Sequence, residues 1–304
     1  MKLLTYRYEN AEHVGVLDKT EKWVYPISAA GISAVTMQEL IEQADNAALS
    51  ALKSLSRKEP CGVAAALALD AVQLLAPIPV PKQDILCLGV NYAAHAEESA
   101  RFHKDHFLKD SARQTIYFSK RVNRAVDPFG GICAHENVTS QLDYEAELVV
   151  VLKKDAKNVK RGEARDYIFG YTVMNDVSAR DVQTAHKQFY FGKSLDAFTP
   201  LGPWIVTEDE IPYPPQLAIS SYVNGELRQS SNTKLFLSTI EDVLVELTAG
   251  MTLQGGTLIA TGTPAGVGMG FTPPKFLKVG DTVECRIEGI GSLKNTIISA
   301  LEDE

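Results

Sequence analysis

The sequence predicts a mainly β fold with some helices (α+β), in which a small N-terminal α+β domain precedes a larger, strand-rich domain. Short β-branched and aromatic runs that end at Gly, Pro, Asn or Asp recur along residues 85–304, which is typical of strands. The segment 76–84, APIPVPKQD, holds three prolines in nine residues, and proline disfavours helix interiors and central strands. So few helices among so many strands argue against a doubly wound sheet.

Residues 1–75 form the small domain in this interpretation, and 76–84 is the linker to the domain at 85–304. The strand candidates of the small domain are LLTYRYE, HVGVLD and KWVYPI, and its helix candidates are VTMQELIEQ and LSALKSL. The second domain offers further strand candidates, which are ILCLGV (85–90), TIYFSK (115–120), AELVVVL (146–152), IFGYTVM (168–174), GPWIVT (202–207), LAISSYVNG (217–225), TLIATG (257–262) and TVECRIE (282–288).

One helix with clear end signals interrupts those strands. Ser238 and Glu241 have the spacing of a capping box. Apolar residues then follow at the i, i+3, i+4 and i+7 spacing of an amphipathic helix, at Ile240, Val243, Leu244 and Leu247. Gly250 suits the residue just after the helix.

Charge and cysteine content narrow the classes of partner. The chain of 304 residues has a net charge of −8 and a pI of about 5.4, which argues against nucleic-acid or anionic-membrane partners. Its four cysteines are scattered without a CxxC pair, so we expect free thiols in a reducing cytosol. Neither a secretory signal nor a run of about 20 apolar residues is visible, and a cytoplasmic protein is expected.

Three acids alternate in LDYEAELVVV, at Asp143, Glu145 and Glu147. In a strand they share one face, because successive side chains point to opposite faces. One interpretation is a solvated or edge face guarded by charge. The other is a cation site, since the apolar run that follows enters the interior, where unpaired carboxylates are costly.

A fourth acid, Asp176, supports the cation interpretation, because it ends the next apolar strand candidate. Neighbouring strands could bring Glu145, Glu147 and Asp176 to one point. Three hard carboxylate ligands with open positions favour Mg²⁺ or Mn²⁺. The sequence therefore predicts one such ion per subunit.

Polar residues downstream suit an anionic, oxygen-rich ligand. Arg180, Gln183 and Lys193 follow shortly after Asp176, and arginine can bind a carboxylate through two parallel hydrogen bonds. A surface ion pair between Arg180 and a nearby aspartate is the alternative. The stretch TGTPAGVGMG (261–270) lacks the spacing, lysine and helix of a phosphate loop, so we expect Thr263 and backbone N–H groups to face a substrate oxygen.

His95 lies in GVNYAAHAEES, just after a strand candidate, where catalytic groups are common. A surface loop histidine is the alternative. His103 and His106 lie in a charged stretch that follows, and no histidine spacing typical of a metal site occurs.

Taken together, these motifs resemble the fumarylacetoacetate hydrolase superfamily over roughly residues 85–300. The stretches that carry the resemblance are LGVNYAAHAEE, SQLDYEAELVVV, FGYTVMNDVSARDVQ, FGKSLDAFTPLGP, YVNGELRQ, GMTLQGGTLIATGTPAGVG and FLKVGDTVECRIEGIGSL. The resemblance implies a mixed β-sandwich or β-roll catalytic domain and a homodimer. The N-terminal domain resembles that of many bacterial members.

The resemblance also implies roles for single residues. Glu145, Glu147 and Asp176 match the metal ligands, whereas the role of Asp143 stays open. Lys193, Thr263, Arg180 and Gln183 match positions on the substrate side, and Lys193 also counts as catalytic. His95 matches a histidine that works with an acid on a lid, here the segment 97–114. Its partner is predicted to be Glu98 or Asp110, with Glu97 and Asp105 also open.

What the resemblance implies for the reaction is a metal-dependent enzyme acting on 2-oxo acids. The first hypothesis is C–C hydrolysis of a fumarylacetoacetate- or acylpyruvate-like substrate through a metal-bound enolate, with His95 activating water. One alternative is oxaloacetate decarboxylation, because TSQLDYE, HKQFYFGKSLD and GFTPPKFL resemble members described so. Isomerisation of 2-hydroxyhepta-2,4-diene-1,7-dioate or 5-carboxymethyl-2-hydroxymuconate is another. A non-catalytic dimeric binding module is the alternative outside enzymes.

Overall fold

The structure is a computed structural model that describes residues 1–63, 65–99, 114–186 and 188–299. The α-helices are α1 (Met37–Gln43), α2 (Asn46–Leu55), α3 (Ala93–Ser99), α4 (Arg180–Ala185), α5 (Tyr190–Lys193) and α6 (Ile240–Gly250). Short 3-10 helices lie at Ile27–Ala30, Pro60–Gly62, Leu69–Ala71, Ala164–Tyr167, Glu208–Glu210, Thr233–Leu235 and Gly268–Gly270. Within these described ranges, no helix combines the length and the apolar character needed to cross a membrane.

Strands dominate the fold. The N-terminal strands are β1 (Lys2–Tyr8), β2 (Ala11–Leu17), β3 (Trp23–Pro26), β4 (Leu67–Ala68) and β5 (Gln73–Leu75). The next are β6 (Ile85–Gly89), β7 (Ile116–Lys120), β8 (Gly131–Cys133), β9 (Leu142–Asp143), β10 (Ala146–Leu152), β11 (Ile168–Asn175) and β12 (Ser178–Ala179). The last are β13 (Leu201–Thr207), β14 (Ala218–Val223), β15 (Glu226–Asn232), β16 (Leu258–Ala260), β17 (Thr282–Ile287) and β18 (Gly291–Ile298).

These strands form three sheets. The largest has eleven strands in the order β4-β3-β2-β1-β13-β11-β10-β16-β6-β7, with β5 also paired to β1. A five-stranded sheet has the order β15-β14-β17-β18-β8, and β12 pairs with β9. Only the β16–β6 and β18–β8 pairings of these strands are parallel. The predicted mainly β architecture with few helices is confirmed.

The strand predictions correspond one to one with strands of the structure, but two long strands were not predicted. These are β15, whose sequence ELRQSSN is polar, and β18. β15 lies at the edge of its sheet, where polar residues are exposed on the outer side. It therefore lacks the alternating apolar pattern that identifies a half-buried strand.

The helix α6 begins one residue later than the sequence predicts. Thr239, not Ser238, is the N-cap residue, and its hydroxyl accepts a hydrogen bond from Asp242 N–H at 3.2 Å while Asp242 accepts from Thr239 N–H at 3.0 Å. Ser238 is held elsewhere, because its hydroxyl contacts Thr115 Oγ1 at 2.6 Å. Gly250 is the last helical residue rather than the residue after it.

The large sheet continues across the predicted boundary at 76–84. β1 pairs with β13, so that Leu3 lies opposite Ile205. Both residues belong to a core cluster that also includes Val149 and Leu258. Residues 1–75 therefore share a sheet and a core with the rest of the chain, and the division into two domains stays a prediction.

The run that follows the acids forms β10, and it is apolar on both faces because both faces of this strand are buried. All of its residues are buried, and it lies between β11 and β16 in the middle of the large sheet. Leu148 and Val150 pack into one core cluster, whereas Val149 and Val151 pack into another. Glu145 and Glu147 lie at its N-terminal end, so a fully buried central strand positions the candidate site.

Candidate metal centre

The three predicted metal ligands meet at one point. The antiparallel register pairs Ala146 with Asn175, which places Asp176 beside Glu145 and Glu147. Asp176 N–H donates to the Glu145 carbonyl at 2.8 Å, which fixes the two chain segments together. Each acid presents an oxygen within 4.8 Å of the others, and all three side chains are buried. The predicted convergence is confirmed, and the hypothesis of a solvated strand face is wrong.

Asp143 is not part of that cluster, although it shares the alternating pattern. It lies in β9, a separate short strand, because the chain leaves regular strand geometry before β10 begins. Its buried carboxylate accepts hydrogen bonds from Gly268 N–H at 2.6 Å, from Met269 N–H at 3.0 Å and from Arg180 Nε at 2.8 Å. The expectation that all three acids share one face of one strand is therefore wrong.

Two buried lysines contact the acid cluster. Lys193 Nζ donates to Glu145 Oε2 at 2.7 Å and to Asp176 Oδ2 at 2.8 Å. Lys120 Nζ donates to Asp176 Oδ1 at 2.7 Å and also to the Val177 and Lys193 carbonyls. Lys120 was not predicted, because a lysine at the end of an apolar strand usually reaches solvent.

Arg180 is buried and bridges the acids instead of pairing at the surface. Its Nη1 lies 2.7 Å from Glu145 Oε1 and 3.2 Å from Gln183 Oε1, and its Nε binds Asp143. Its Nη2 is buried and has no hydrogen-bond partner among the described residues. The hypothesis of a surface pair with Asp176 or Asp181 is wrong, and the free N–H group suits an anionic ligand.

The ionisation of the cluster favours a cation. Burial raises the pKa of Glu147 well above its usual value, and the charges of Asp176 and Glu145 raise it further. Burial also acts to raise the pKa of Glu145, but the charges of Lys193 and Arg180 outweigh it and lower that pKa. Glu147 therefore lacks the compensation that Glu145 has, although Gly262 N–H donates to it at 2.8 Å. The carboxylate oxygens of Glu145, Glu147 and Asp176 fit a divalent ion, since the charge of the ion would compensate the negative charge of Glu147.

His95 lies on α3 and is buried rather than on the surface. Its Nδ1 lies 3.0 Å from Glu98 Oε2, so Glu98 is its acidic partner within the described residues. Its Nε2 has only a long contact of 3.5 Å with Ser99 Oγ. Glu97 is exposed. The other predicted candidates, Asp105 and Asp110, lie outside the described residues, as do His103 and His106.

Thr263 is buried next to the acids, and its hydroxyl is already engaged. It donates to the Ala146 carbonyl at 3.0 Å and accepts from Gln229 Nε2 at 2.7 Å. Gln229 Oε1 in turn accepts from Ala146 N–H at 3.0 Å. Gln229 was not predicted, because an amide in a polar edge strand carries no catalytic signal in the sequence. Thr263 and Gln229 therefore fix the start of β10.

A cavity of about 30 Å³, partly open to solvent, brings most predicted site residues together. Its polar lining is His95, Ser99, Glu145, Arg180, Gln183, Lys193 and Thr263. Apolar residues, among them Phe118, Phe189 and Met269, complete the wall. The cavity therefore joins an acid–base group, a buried arginine and one face of the acid cluster, and the roles of these residues stay predictions.

Comparison with known proteins identifies relatives of the chain. The family model described as fumarylacetoacetate (FAA) hydrolase C-terminal matches residues 84–298. The oxaloacetate tautomerase YisK of Bacillus subtilis is 44% identical over 229 residues, which cover 75% of this chain and 74% of that protein.

Solved structures extend the similarity to nearly the whole chain. A fumarylacetoacetate hydrolase from the psychrophile Exiguobacterium antarcticum is 36% identical, with a TM-score of 0.83 and coverage of 98% and 99% of the two chains. A 5-carboxymethyl-2-hydroxymuconate delta-isomerase from Mycobacterium smegmatis is 28% identical, with a TM-score of 0.70 and coverage of 98% and 100%. These relatives thus carry the names of three reaction types.

Proposed function

The chain belongs to the fumarylacetoacetate hydrolase family, whose members include hydrolases, isomerases and tautomerases, and on that premise we propose that it is a divalent-metal-dependent tautomerase. Its substrate is oxaloacetate or a similar small 2-oxo dicarboxylic acid, whose enol and keto forms it interconverts. The main support for this proposal is the cavity lined by His95, by Arg180, whose Nη2 has no partner among the described residues, and by Glu145 of the acid cluster. The similarity to a named oxaloacetate tautomerase supports it.

Glu145, Glu147 and Asp176 would hold one Mg²⁺ or Mn²⁺ ion. When bound, such an ion supplies positive charge that stabilises the enolate character of a 2-oxo acid. Four buried carboxylates and three buried cations meet here, with Asp143 joining the acids and Lys120, Arg180 and Lys193 opposing them. With all of these groups ionised, the protein contributes one net negative charge, and a divalent ion reverses that sign. The loaded site therefore attracts an anion.

Arg180 binds the substrate carboxylate in this proposal. Its Nε and Nη1 are fixed by Asp143 and Glu145, so the guanidinium plane cannot turn, and Nη2 remains to donate. Gln183 accepts from Nη1 and lines the same cavity. A fixed donor orients the substrate without the entropy cost of ordering a flexible side chain.

His95 moves the proton. In the enol-to-keto direction, C3 gains a proton and the enol hydroxyl loses one, so the composition of the substrate does not change. His95 lines the cavity; its Nε2 has only the long Ser99 contact, whereas Nδ1 is held by Glu98. Glu98 thus orients the ring of His95, as a carboxylate does for a histidine general acid. Neither a broken C–C bond nor an attacking water is required.

Hydrolysis of an acylpyruvate-like substrate, which the sequence placed first, is the second candidate. The His95–Glu98 pair favours it, because the same pair could deprotonate a water molecule. We place it second because the relative named a tautomerase is 44% identical and the structure named a fumarylacetoacetate hydrolase is 36% identical. The homodimer implied by the resemblance also stays a proposal.

The test supplies purified protein, Mg²⁺ or Mn²⁺, and three substrates in parallel. These are freshly dissolved enol oxaloacetic acid, acetylpyruvate and a 2-hydroxy-dienedioate, each with an EDTA control. Faster loss of the enol's ultraviolet absorbance without pyruvate or CO₂ supports the tautomerase. Acetate plus pyruvate from acetylpyruvate supports the hydrolase, CO₂ from oxaloacetate the decarboxylase, and a shifted double bond the isomerase. Each of those last three outcomes, without enol loss, contradicts the proposal.

A further inference from the structure

One short loop contacts the acid–base pair from outside its own helix. We call residues 266–270, with sequence GVGMG, the glycine loop. Gly266 N–H donates to Glu98 at 3.0 Å to Oε1 and 3.3 Å to Oε2. The same carboxylate contacts His95 Nδ1 at 3.0 Å. Glu98 therefore joins the glycine loop to His95.

The same loop also contacts the carboxylate that holds the substrate-side arginine. Gly268 N–H donates to Asp143 Oδ1 at 2.6 Å, and Met269 N–H donates to Asp143 Oδ2 at 3.0 Å. Arg180 Nε donates to Asp143 Oδ2 at 2.8 Å. Asp143 is fully buried, so these charge-assisted hydrogen bonds act without competition from solvent. Asp143 therefore joins the glycine loop to Arg180.

Gly268 and Gly270 are glycines because the loop passes very close to the carboxylates of Asp143 and Glu98. A Cβ at Gly270 would lie 1.8 Å from Glu98 Oε1. A Cβ at Gly268 would lie 2.6 Å from Asp143 Oδ1 and 2.5 Å from the Lys275 carbonyl oxygen. Neither glycine has a positive φ, so backbone conformation does not require glycine there. Glycine is required at both positions because the two carboxylates, and at Gly268 also the Lys275 carbonyl, occupy the space of a Cβ.

We propose that the glycine loop is a positioning element shared by the two halves of the site. It holds His95 through Glu98 and Arg180 through Asp143, and so fixes the distance between the proton-transfer group and the substrate-binding group. No hydrogen bond joins His95 to Arg180 directly among the described residues. The effect on turnover rests on the proposed function, whereas the effect on the position of α3 does not.

The test replaces Gly270 with alanine in the full-length protein. Gly270→Ala needs no change of backbone conformation, but it leaves no room for Glu98 in its present place. The matched control is Gly250→Ala, where an added Cβ meets no atom within 4 Å and φ is not positive. The first readout is hydrogen–deuterium exchange in residues 93–99. The second is kcat and KM for the enol, together with Mg²⁺ affinity by calorimetry.

We expect faster exchange in 93–99 for Gly270→Ala and none of that change for Gly250→Ala. We also expect kcat to fall about tenfold to a hundredfold, as for a misplaced catalytic group, with Mg²⁺ affinity within about twofold of the original. Unchanged exchange in 93–99, or faster exchange throughout the chain, would overturn the proposal. Faster local exchange in a protein that has no tautomerase activity would support the positioning role and refute the proposed function.

A second variant covers the case in which Gly270→Ala does not fold. Glu98→Ala removes the other partner of the same contact without adding atoms to the loop. It is expected to speed exchange both in 93–99 and in 263–271, since each segment loses the hydrogen bond at Gly266. If exchange in both segments stays as in the original protein, the loop does not hold the helix and the proposal is wrong.

Discussion

Lys193 places a positive charge beside the carboxylates that the predicted metal ion would bind. Removing the Lys193 charge therefore separates the stabilisation that the lysine gives from the stabilisation that the ion gives. In Lys193→Met, the side chain keeps a similar length and loses its charge. Glu145 and Asp176 each lose a contact of 2.7 to 2.8 Å to the ammonium group. Both carboxylates are buried, so solvent does not replace the lost partner.

The expected loss of stability follows from that burial. Removing one member of a buried ion pair costs about 3–5 kcal/mol, because the remaining charge is uncompensated. A chain of 304 residues has an unfolding entropy of about 0.6 kcal/mol per kelvin, so the melting temperature in EDTA should fall by about 5–8 °C. Saturating Mg²⁺ should recover much of this loss, because the ion supplies the missing charge to the same oxygens.

The assay is thermal unfolding of both proteins in EDTA and in Mg²⁺. We expect a larger Mg²⁺-induced rise of the melting temperature in Lys193→Met than in the original protein. The matched control is Lys82→Met, which removes an exposed pair with Glu42 and should cost no more than about 1 kcal/mol. Equal Mg²⁺ effects in the two proteins would refute the idea that Lys193 and the ion share ligands.

Three further predictions follow from the same contacts. Glu147→Gln should weaken Mg²⁺ binding at least about tenfold in calorimetry. The folded-state pKa of Glu147 is raised well above its unfolded value of 4.5, so the unfolded state ionises first and the original protein loses stability as the pH rises above about 4.5. Urea unfolding in EDTA should show a smaller loss above that pH in the Glu147→Gln variant. Arg180→Lys should raise KM about tenfold or more, since one ammonium cannot keep the Asp143 and Glu145 contacts and still donate to substrate. A fragment of residues 76–304 should fail to give a cooperative unfolding transition, because β13 loses its partner β1; a sharp transition would establish an independent domain.

The sequence allowed the central strands and the convergence of the three candidate metal ligands to be predicted, because both have a local signal. β10 and β11 are apolar runs with an acid at a defined end, and antiparallel pairing brings those ends together. The position of Asp143 was not predictable, because the break between β9 and β10 leaves the alternating pattern of acids intact. The capping error has a similar cause: Ser238 and Thr239 each have an acid three residues later.

Other features depend on contacts between segments that are distant in the sequence. The sequence of either segment alone does not predict such a contact. Lys120 becomes part of the site because β7 pairs with β6 and brings its last residue towards Asp176. The pairing of β1 with β13 joins segments about 200 residues apart. The glycine loop did look like a ligand loop in the sequence, but its N–H groups bind the protein's own carboxylates.

Exchange of the C3 hydrogens of oxaloacetate in D₂O is the decisive measurement for the proposed tautomerase activity. Proton NMR of keto oxaloacetate, with protein and Mg²⁺, follows deuterium entry at C3 and the formation of pyruvate in one sample. We expect the protein to accelerate deuterium entry ahead of pyruvate formation, and we expect His95→Ala and Glu147→Gln each to abolish the acceleration. Pyruvate formation as fast as deuterium entry, or full acceleration in His95→Ala, would contradict this expectation.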